Sequence, residues 1–561
     1  MSQAKASLDA LVEECWEALL AREPYTAASA GRVIEAIGPG DLAEAEAIAA
    51  HARARLDALA GIDLTALSRT DRLTASYLRH LLETDLEEPE RWWTSFIVAP
   101  YSSLPFSMIP RTVFAGIDLG DPAAATRYVK LARDFVVFVD NARARILAQA
   151  ERGWRLPRPA LANARVALEG AASMAAAAIL RSDDEHVDAA VREEVASLVE
   201  TELKPAFARL LAAIGEEYEA AATANAGLMH QPGGARAYRL WLRYHLGTDA
   251  DPATIHQVGL DEVASLAAEM ARVRRDAFGY DGDEASFHER LSEDPKAKAP
   301  SAEALEASFN RHLERMRPVF ARMFRKGPSA VGVVKRLPLE LEAGMTFGYY
   351  QQPQSGQGQG IYYYSGNGIP DRLQLNTAAL IFHELVPGHH VQLARQRENE
   401  ALPAIRREII LSTAFLEGWA EYASGLGEEG GLFDNPYDYY GFLMHQRFTA
   451  QRMVVDTGLN ALGWSLEEAH AYMSANTLEK PEQVMSEILR YSTDMPAQAL
   501  CYRWGCLKFR ALRADAEAVL GPVFDLADFH EAILDQGCLP IPVLEQNLAD
   551  WATARAAMAA G

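Results

Sequence analysis

Apolar residues recur every three or four positions through roughly the first 340 residues, as in Leu8, Leu11, Val12, Cys15, Trp16 and Leu19. That period lines them up on one face of a helix. The same segments are rich in Ala, Leu, Glu and Arg, which favour helices. The pattern breaks at Gly38-Pro-Gly40, Val98-Ala-Pro-Tyr-Ser-Ser-Leu-Pro105, Leu156-Pro-Arg-Pro159 and Gln231-Pro-Gly-Gly234, where Pro and Gly stop helices without forming a flexible linker. Gly344 to Pro353 and Gly360 to Ser365 differ, because aromatic runs flanked by glycine predict two short strands. Helical spacing returns from Leu411 to Leu426 and over most of 436–555, with a Gly-rich break at Gly427 to Gly431. The expectation is a mainly α protein with a small antiparallel sheet just ahead of one helix. An N-terminal helical lobe spans 1–235 and a second lobe 236–561.

With 561 residues and 49% hydrophobic content, the chain can bury a core of that size. Its 77 acidic side chains outnumber 54 basic ones, for a net charge of −23, which argues against nucleic acid or an anionic membrane as partner. Four cysteines, Cys15, Cys501, Cys506 and Cys538, form neither a disulfide framework nor zinc-type C-x-x-C pairs. No apolar run approaches the roughly 20 residues needed to cross a bilayer. The first residues lack a signal-peptide core, and Glu13 and Glu14 spoil a lipoprotein site at Cys15. The expected location is cytoplasmic.

The chemistry concentrates in the second lobe, where His383, Glu384, His389 and His390 fall within eight residues. In the H-E-x-x-H signature, two His one helical turn apart bind Zn²⁺ and the Glu activates water. Here Pro387 occupies the second His position. On an ideal helix His390 would lie about 10 Å along the axis from His383, and His389 would point about 120° away. A bulge at Pro387-Gly388 is therefore required, and absorbing two residues returns His389 to an effective one-turn spacing, whereas His390 needs three. His389 is favoured, with His390 left as the alternative or as outer support. Asn376 or Thr377 is placed to cap this helix.

A second motif, Phe415-Leu-Glu-Gly-Trp-Ala-Glu-Tyr422, places two Glu in an apolar helical segment, where a buried carboxylate needs a cation. Glu417 is the expected third ligand. Glu421, one turn later, is placed to accept a hydrogen bond from a ligating His. Glu384 then takes the proton of the attacking water. Tyr491, or else Tyr502, is expected to donate to the oxyanion. Tyr349, Tyr350, Tyr362 and Tyr363 could form a strand edge that pairs with an extended peptide. Arg490 or Arg452 could hold a substrate carboxylate, or else form structural pairs with Glu487 or Asp456.

His383-Glu-Leu-Val-Pro-Gly-His-His390, Glu417-Gly-Trp-Ala-Glu-Tyr422, Val454-Val-Asp-Thr-Gly458, Arg490-Tyr491 and Pro496-Ala-Gln-Ala-Leu500 resemble a large bacterial family known as a domain of unknown function. Its members are described as candidate zinc peptidases or lipoproteins. That family is in turn similar to the helical gluzincins, of the thimet oligopeptidase, angiotensin-converting enzyme and thermostable carboxypeptidase type. Aligning Gly388-His389 with their Gly-His again selects His389. The resemblance implies a mostly helical, two-lobed zincin-like body around a deep cleft. In this chain Asn460 stands where relatives commonly carry His.

The expected activity is hydrolysis of peptide or peptide-like amide bonds in short substrates, with one Zn²⁺ per chain and carboxypeptidase or dipeptidase character. A non-peptide amidohydrolase on the same site and a non-catalytic metal- or peptide-binding protein are the alternatives. Non-haem Fe(II) oxygenases also use two His and a carboxylate, but have no use for Glu384 as a base. Nothing in the sequence sets the oligomeric state.

Overall fold

The helical period of the N-terminal residues is realised in the helix Gln3–Arg22, which buries Leu8, Leu11, Val12, Cys15, Trp16 and Leu19. This computed structural model describes every residue except 1, 102, 182–188, 343–347, 354–357 and 561. Most described residues are helical, and the four Pro/Gly breaks fall between helices or at helix starts. The chain forms two units. The first comprises Met1–Trp241, Gly458–His470 and Glu482–Pro496; the second comprises Leu242–Thr457, Ala471–Pro481 and Ala497–Gly561.

In the first unit the long helix Pro122–Glu151 buries Phe135, Val139 and Ile146. Its Phe135 and Phe138 join Phe106 and Phe207 in an aromatic cluster with centroids 5.6 to 6.3 Å apart. Such tilted and offset pairs add to the stabilisation from apolar burial.

The second unit carries the sheet. Strands β1 (Val331–Arg336), β2 (Gly348–Gln351) and β3 (Gln359–Tyr364) are ordered β1-β3-β2. The expected antiparallel sheet is corrected to a mixed one: β2 pairs with β3 antiparallel, but β1 pairs with it parallel. The hydrophobic pattern did not announce β1, whose Val-Gly-Val-Val stretch is too short to separate from its helical surroundings. Of the first expected strand, residues 344–347 lie outside the described residues.

One face of the sheet is set by the strand register. Val334, Tyr362 and Tyr350 are cross-strand neighbours, and side chains directly opposite share a face. Tyr362 and Tyr364 pack on Phe309 of the helix Ala302–Met323. Ala378, Ile381, Phe382 and Leu385 complete the same core. The residues that flank His383 are thus fixed by apolar burial, which stabilises by roughly 1.5–3 kcal/mol per fully buried Leu, Ile or Phe.

Candidate metal centre

The helix Thr377–Glu384 begins at Asn376, which takes the N-cap position without a side-chain cap bond. Thr377 Oγ1 donates to Gln374 O instead, at 2.8 Å. The helix ends at Glu384 and a second, His389–Glu398, begins after four intervening residues. The expected bulge inside one helix is therefore a complete break over Leu385 to Gly388. Gly388 N–H donates back to Phe382 O at 3.0 Å. A Cβ on Gly388 would stand 1.8 Å from His383 O, so no other residue allows this turn. Trp419 Nε1 donates to Pro387 O at 3.2 Å, tying the break to the helix Thr413–Glu429.

The break returns His389 to His383. Their rings lie 4.6 Å apart at 84°, and Glu417 Oε2 is 3.6 Å from His383 Nε2 and 3.3 Å from His389 Nε2. All three ligand atoms lie within 4.8 Å of one another. A tetrahedral zinc ion with bonds of 2.0–2.1 Å would separate its ligand atoms by roughly 3.3 Å. Glu417 Oε2 is buried and has no aligned hydrogen-bond donor among the described residues. Such an orphaned acceptor is costly without a cation, so His383, His389 and Glu417 fit zinc.

Charge supports the same fit. Burial lowers the His383 imidazole, but the Glu417 and Glu421 carboxylates override it and push it up to about 10. Burial also raises Glu417 and Glu421, yet the neighbouring imidazoles hold both well below the ordinary carboxylate range. Without a metal this cluster demands a proton in its place. For Glu384 burial prevails over the nearby His383 and His389 and raises its carboxyl.

Glu421 is completely buried, with Oε1 3.0 Å from His383 Nδ1, near enough for an ion pair though off the line of an ideal hydrogen bond. The same oxygen accepts from His445 Nε2 at 2.7 Å, and Oε2 accepts from Gln446 Nε2 at 3.3 Å. His445 was not anticipated from the sequence. Its only signal is a His on a largely buried helix, Pro436–Asn460, 24 residues along the chain from Glu421.

His390 is corrected. Although adjacent to His389, it points at the sheet, where Tyr350 OH meets Nδ1 at 3.0 Å and Nε2 meets Ala330 O at 3.0 Å. The cross-strand glycines Gly332 and Gly360 make the space, since a Cβ on either would press within 2.9 Å of the ring. The tyrosine edge is corrected in part: Tyr349 and Tyr350 do lie on β2, an edge strand, but the other two do not. Tyr362 and Tyr363 lie on β3, the central strand, whose two sides are already paired. Tyr362 is core, while Tyr349 packs on Tyr363 at 5.4 Å.

Of the two oxyanion candidates, Tyr502 stacks on His383, centroids 6.2 Å apart and 13° from parallel. Arg452 lies 4.7 Å over the same Tyr502 ring. Tyr491 belongs to the first unit, where its hydroxyl donates to Glu487. Arg490 reaches Glu487 at 3.5 Å, the structural pairing already considered for it. Asn460 is used within the first unit, accepting from Leu228 N–H and donating to Tyr491 O.

A family profile described as "Bacterial protein of unknown function (DUF885)" matches residues 24–548. The chain belongs to the DUF885 family. This DUF885 protein is similar to a "putative lipoprotein" from Colwellia psychrerythraea, with 27% identity over 98% of this chain and 99% of the other, at a TM-score of 0.87. A "putative lipoprotein of unknown function" from Shewanella oneidensis shares the fold, at 17% identity, 98% and 100% coverage and a TM-score of 0.76. No protein of curated function matches. The Colwellia neighbour is described as a "putative lipoprotein", a class anchored to membranes by lipid, and this overturns the expected cytoplasmic location. That expectation rested on the composition of the first residues. No described helix is long and apolar enough to cross a membrane.

Proposed function

We propose that this DUF885 member is a zinc-dependent hydrolase of peptide or peptide-like amide bonds in short substrates, with His383, His389 and Glu417 as ligands. The reading is carried by one observation: Glu417 Oε2 sits 3.6 and 3.3 Å from two imidazole nitrogens with no aligned donor of its own. Zinc in such a site acts as a Lewis acid and makes water a nucleophile near neutral pH.

The other roles belong to the chain's own side chains. Glu384 follows a ligand directly and feels the charges of His383, His389 and Glu417. Its raised carboxyl suits a group that accepts a proton from water and hands it to the leaving amine. Tyr502, half-buried against His383, is the candidate donor to the oxyanion. Arg452, 4.7 Å over the same ring, is the candidate to meet a substrate carboxylate. The lipoprotein description of the Colwellia neighbour favours work outside the cytoplasm, and membrane fractionation of the native host reads that.

The test is metal analysis of purified protein together with a screen of dipeptides, blocked peptides and non-peptide amides. Wild type is expected to carry one zinc and to cleave at least one class. Glu384→Gln is expected to keep zinc and lose about 10²–10⁴-fold in rate, whereas His383→Ala or Glu417→Ala loses the metal. A Gln variant as active as wild type would sink the mechanism.

A further inference from the structure

Glu421 is more tightly held than an outer carboxylate needs to be. Its Oε1 faces His383 Nδ1 at 3.0 Å and also accepts from His445 Nε2 at 2.7 Å. Its Oε2 accepts from Gln446 Nε2 at 3.3 Å. Gln446 is itself turned by Arg503, whose guanidinium donates to Gln446 Oε1 and whose Nε donates to Glu262 at 2.7 Å. Both Glu421 oxygens are thus occupied from consecutive residues of one helix, and the last link is anchored by an ion pair.

The three groups His383, Glu421 and His445 also lie close enough together to hold a cation. Their spacing argues otherwise. A 2.7 Å contact between His445 and Glu421 is a charge-assisted hydrogen bond, shorter than the roughly 3.3 Å between two ligands of one tetrahedral zinc ion. This cluster is closed by protons, while the one around Glu417 is open.

We propose that His445 is a positioning residue of the metal centre. It fixes the Glu421 carboxylate so that Oε1 meets the Nδ1 edge of His383, which turns Nε2 of His383 toward His389 and Glu417. A carboxylate free to rotate would leave His383 able to swing off that direction, and metal affinity would fall. Partners that orient a ligating His this way are worth 10–100-fold in affinity. His445 acts one bond further out, so about tenfold is expected.

The inference rests on the zinc reading, and the experiment separates the two. Zinc affinity of the full-length protein is measured by competition with a chromogenic chelator, alongside the melting midpoint of the metal-free protein. His445→Ala is expected to weaken zinc about tenfold, and His445→Gln, whose amide can reach as Nε2 does, to restore it. His445→Asn, too short to reach, is expected to stay weak. Adding His445→Ala to Glu421→Gln should cost nothing more, because one acts through the other. Unchanged affinity in His445→Ala, additive losses in the double variant, or equal affinity of the Gln and Asn variants would overturn the proposal while leaving the hydrolase reading intact. If His445→Ala does not fold, the Gln and Asn pair decides. Failure of wild type to take up zinc would remove both.

Discussion

At the scale of single residues, two positions hold the break that creates the candidate metal centre. Gly388 is obligatory because any side chain would collide with His383 O. Gly388→Ala is expected to destabilise the protein by about 3 kcal/mol and to lower zinc content well below one per chain, checked by urea unfolding and metal analysis. Trp419 acts more gently. Trp419→Phe keeps most of the buried ring but deletes the bond to Pro387 O, which should cost about 1 kcal/mol and leave zinc bound. A Phe variant with full wild-type stability in the same urea titration would show that this bond contributes nothing. The grouping of His383, His389 and Glu417 was legible in the sequence at this scale. Pro387 excluded the ordinary spacing, the bulge argument favoured His389, and the apolar surroundings of Glu417 required a cation. His390 and His445 were not legible, since neighbours in sequence point to different partners after the break, and His445 reaches Glu421 only through folding.

At the scale of elements, the Thr413–Glu429 and Cys501–Leu520 helices cross where two glycines meet. A Cβ on Gly418 would stand 2.5 Å from Gly505 Cα, and one on Gly505 2.4 Å from Ala414 O. Near this crossing Glu417 meets Nε2 of His383 and Tyr502 stacks on its ring, one residue away from Gly418 and three from Gly505 along their helices. Gly505→Ala should therefore force the helices apart, costing about 1–3 kcal/mol, and should weaken zinc more than a surface Gly→Ala such as Gly170→Ala. Calorimetry and chelator competition on the two variants check it. The helices themselves were readable from their 3.6-residue period. The sheet was readable only in part, because β2 and β3 advertise aromatic runs, whereas the parallel partner β1 depends on a long-range pairing that no local pattern encodes.

For the whole molecule, the proposed zinc and a proton would compete for the same place. In the metal-free protein His383 is lifted to about 10, above the value of about 6.5 for an unfolded His. The stabilisation from that proton is complete below about pH 6.5 and is lost as pH rises through the folded value. Glu417 and Glu421 are depressed, so their contribution is present above about pH 4.5 and is lost in acid. Burial holds His288, His312 and His530 down, so they withdraw stability below about pH 6.5. The metal-free melting midpoint should thus peak near neutral pH and fall toward pH 10, and saturating zinc should flatten the alkaline decline. Scanning calorimetry with and without chelator reads both curves, and a metal-free midpoint that climbs steadily to pH 9 would contradict the charge arrangement.

The path of the chain between its two units carries a separate lesson. It passes from one to the other at 241–242, 457–458, 470–471, 481–482 and 496–497. Ancestry by end-to-end fusion of two finished genes would leave a single junction. Repeated passage means that a fragment ending at residue 241 lacks two segments of its own unit, so recombination within this family is expected to exchange the body whole.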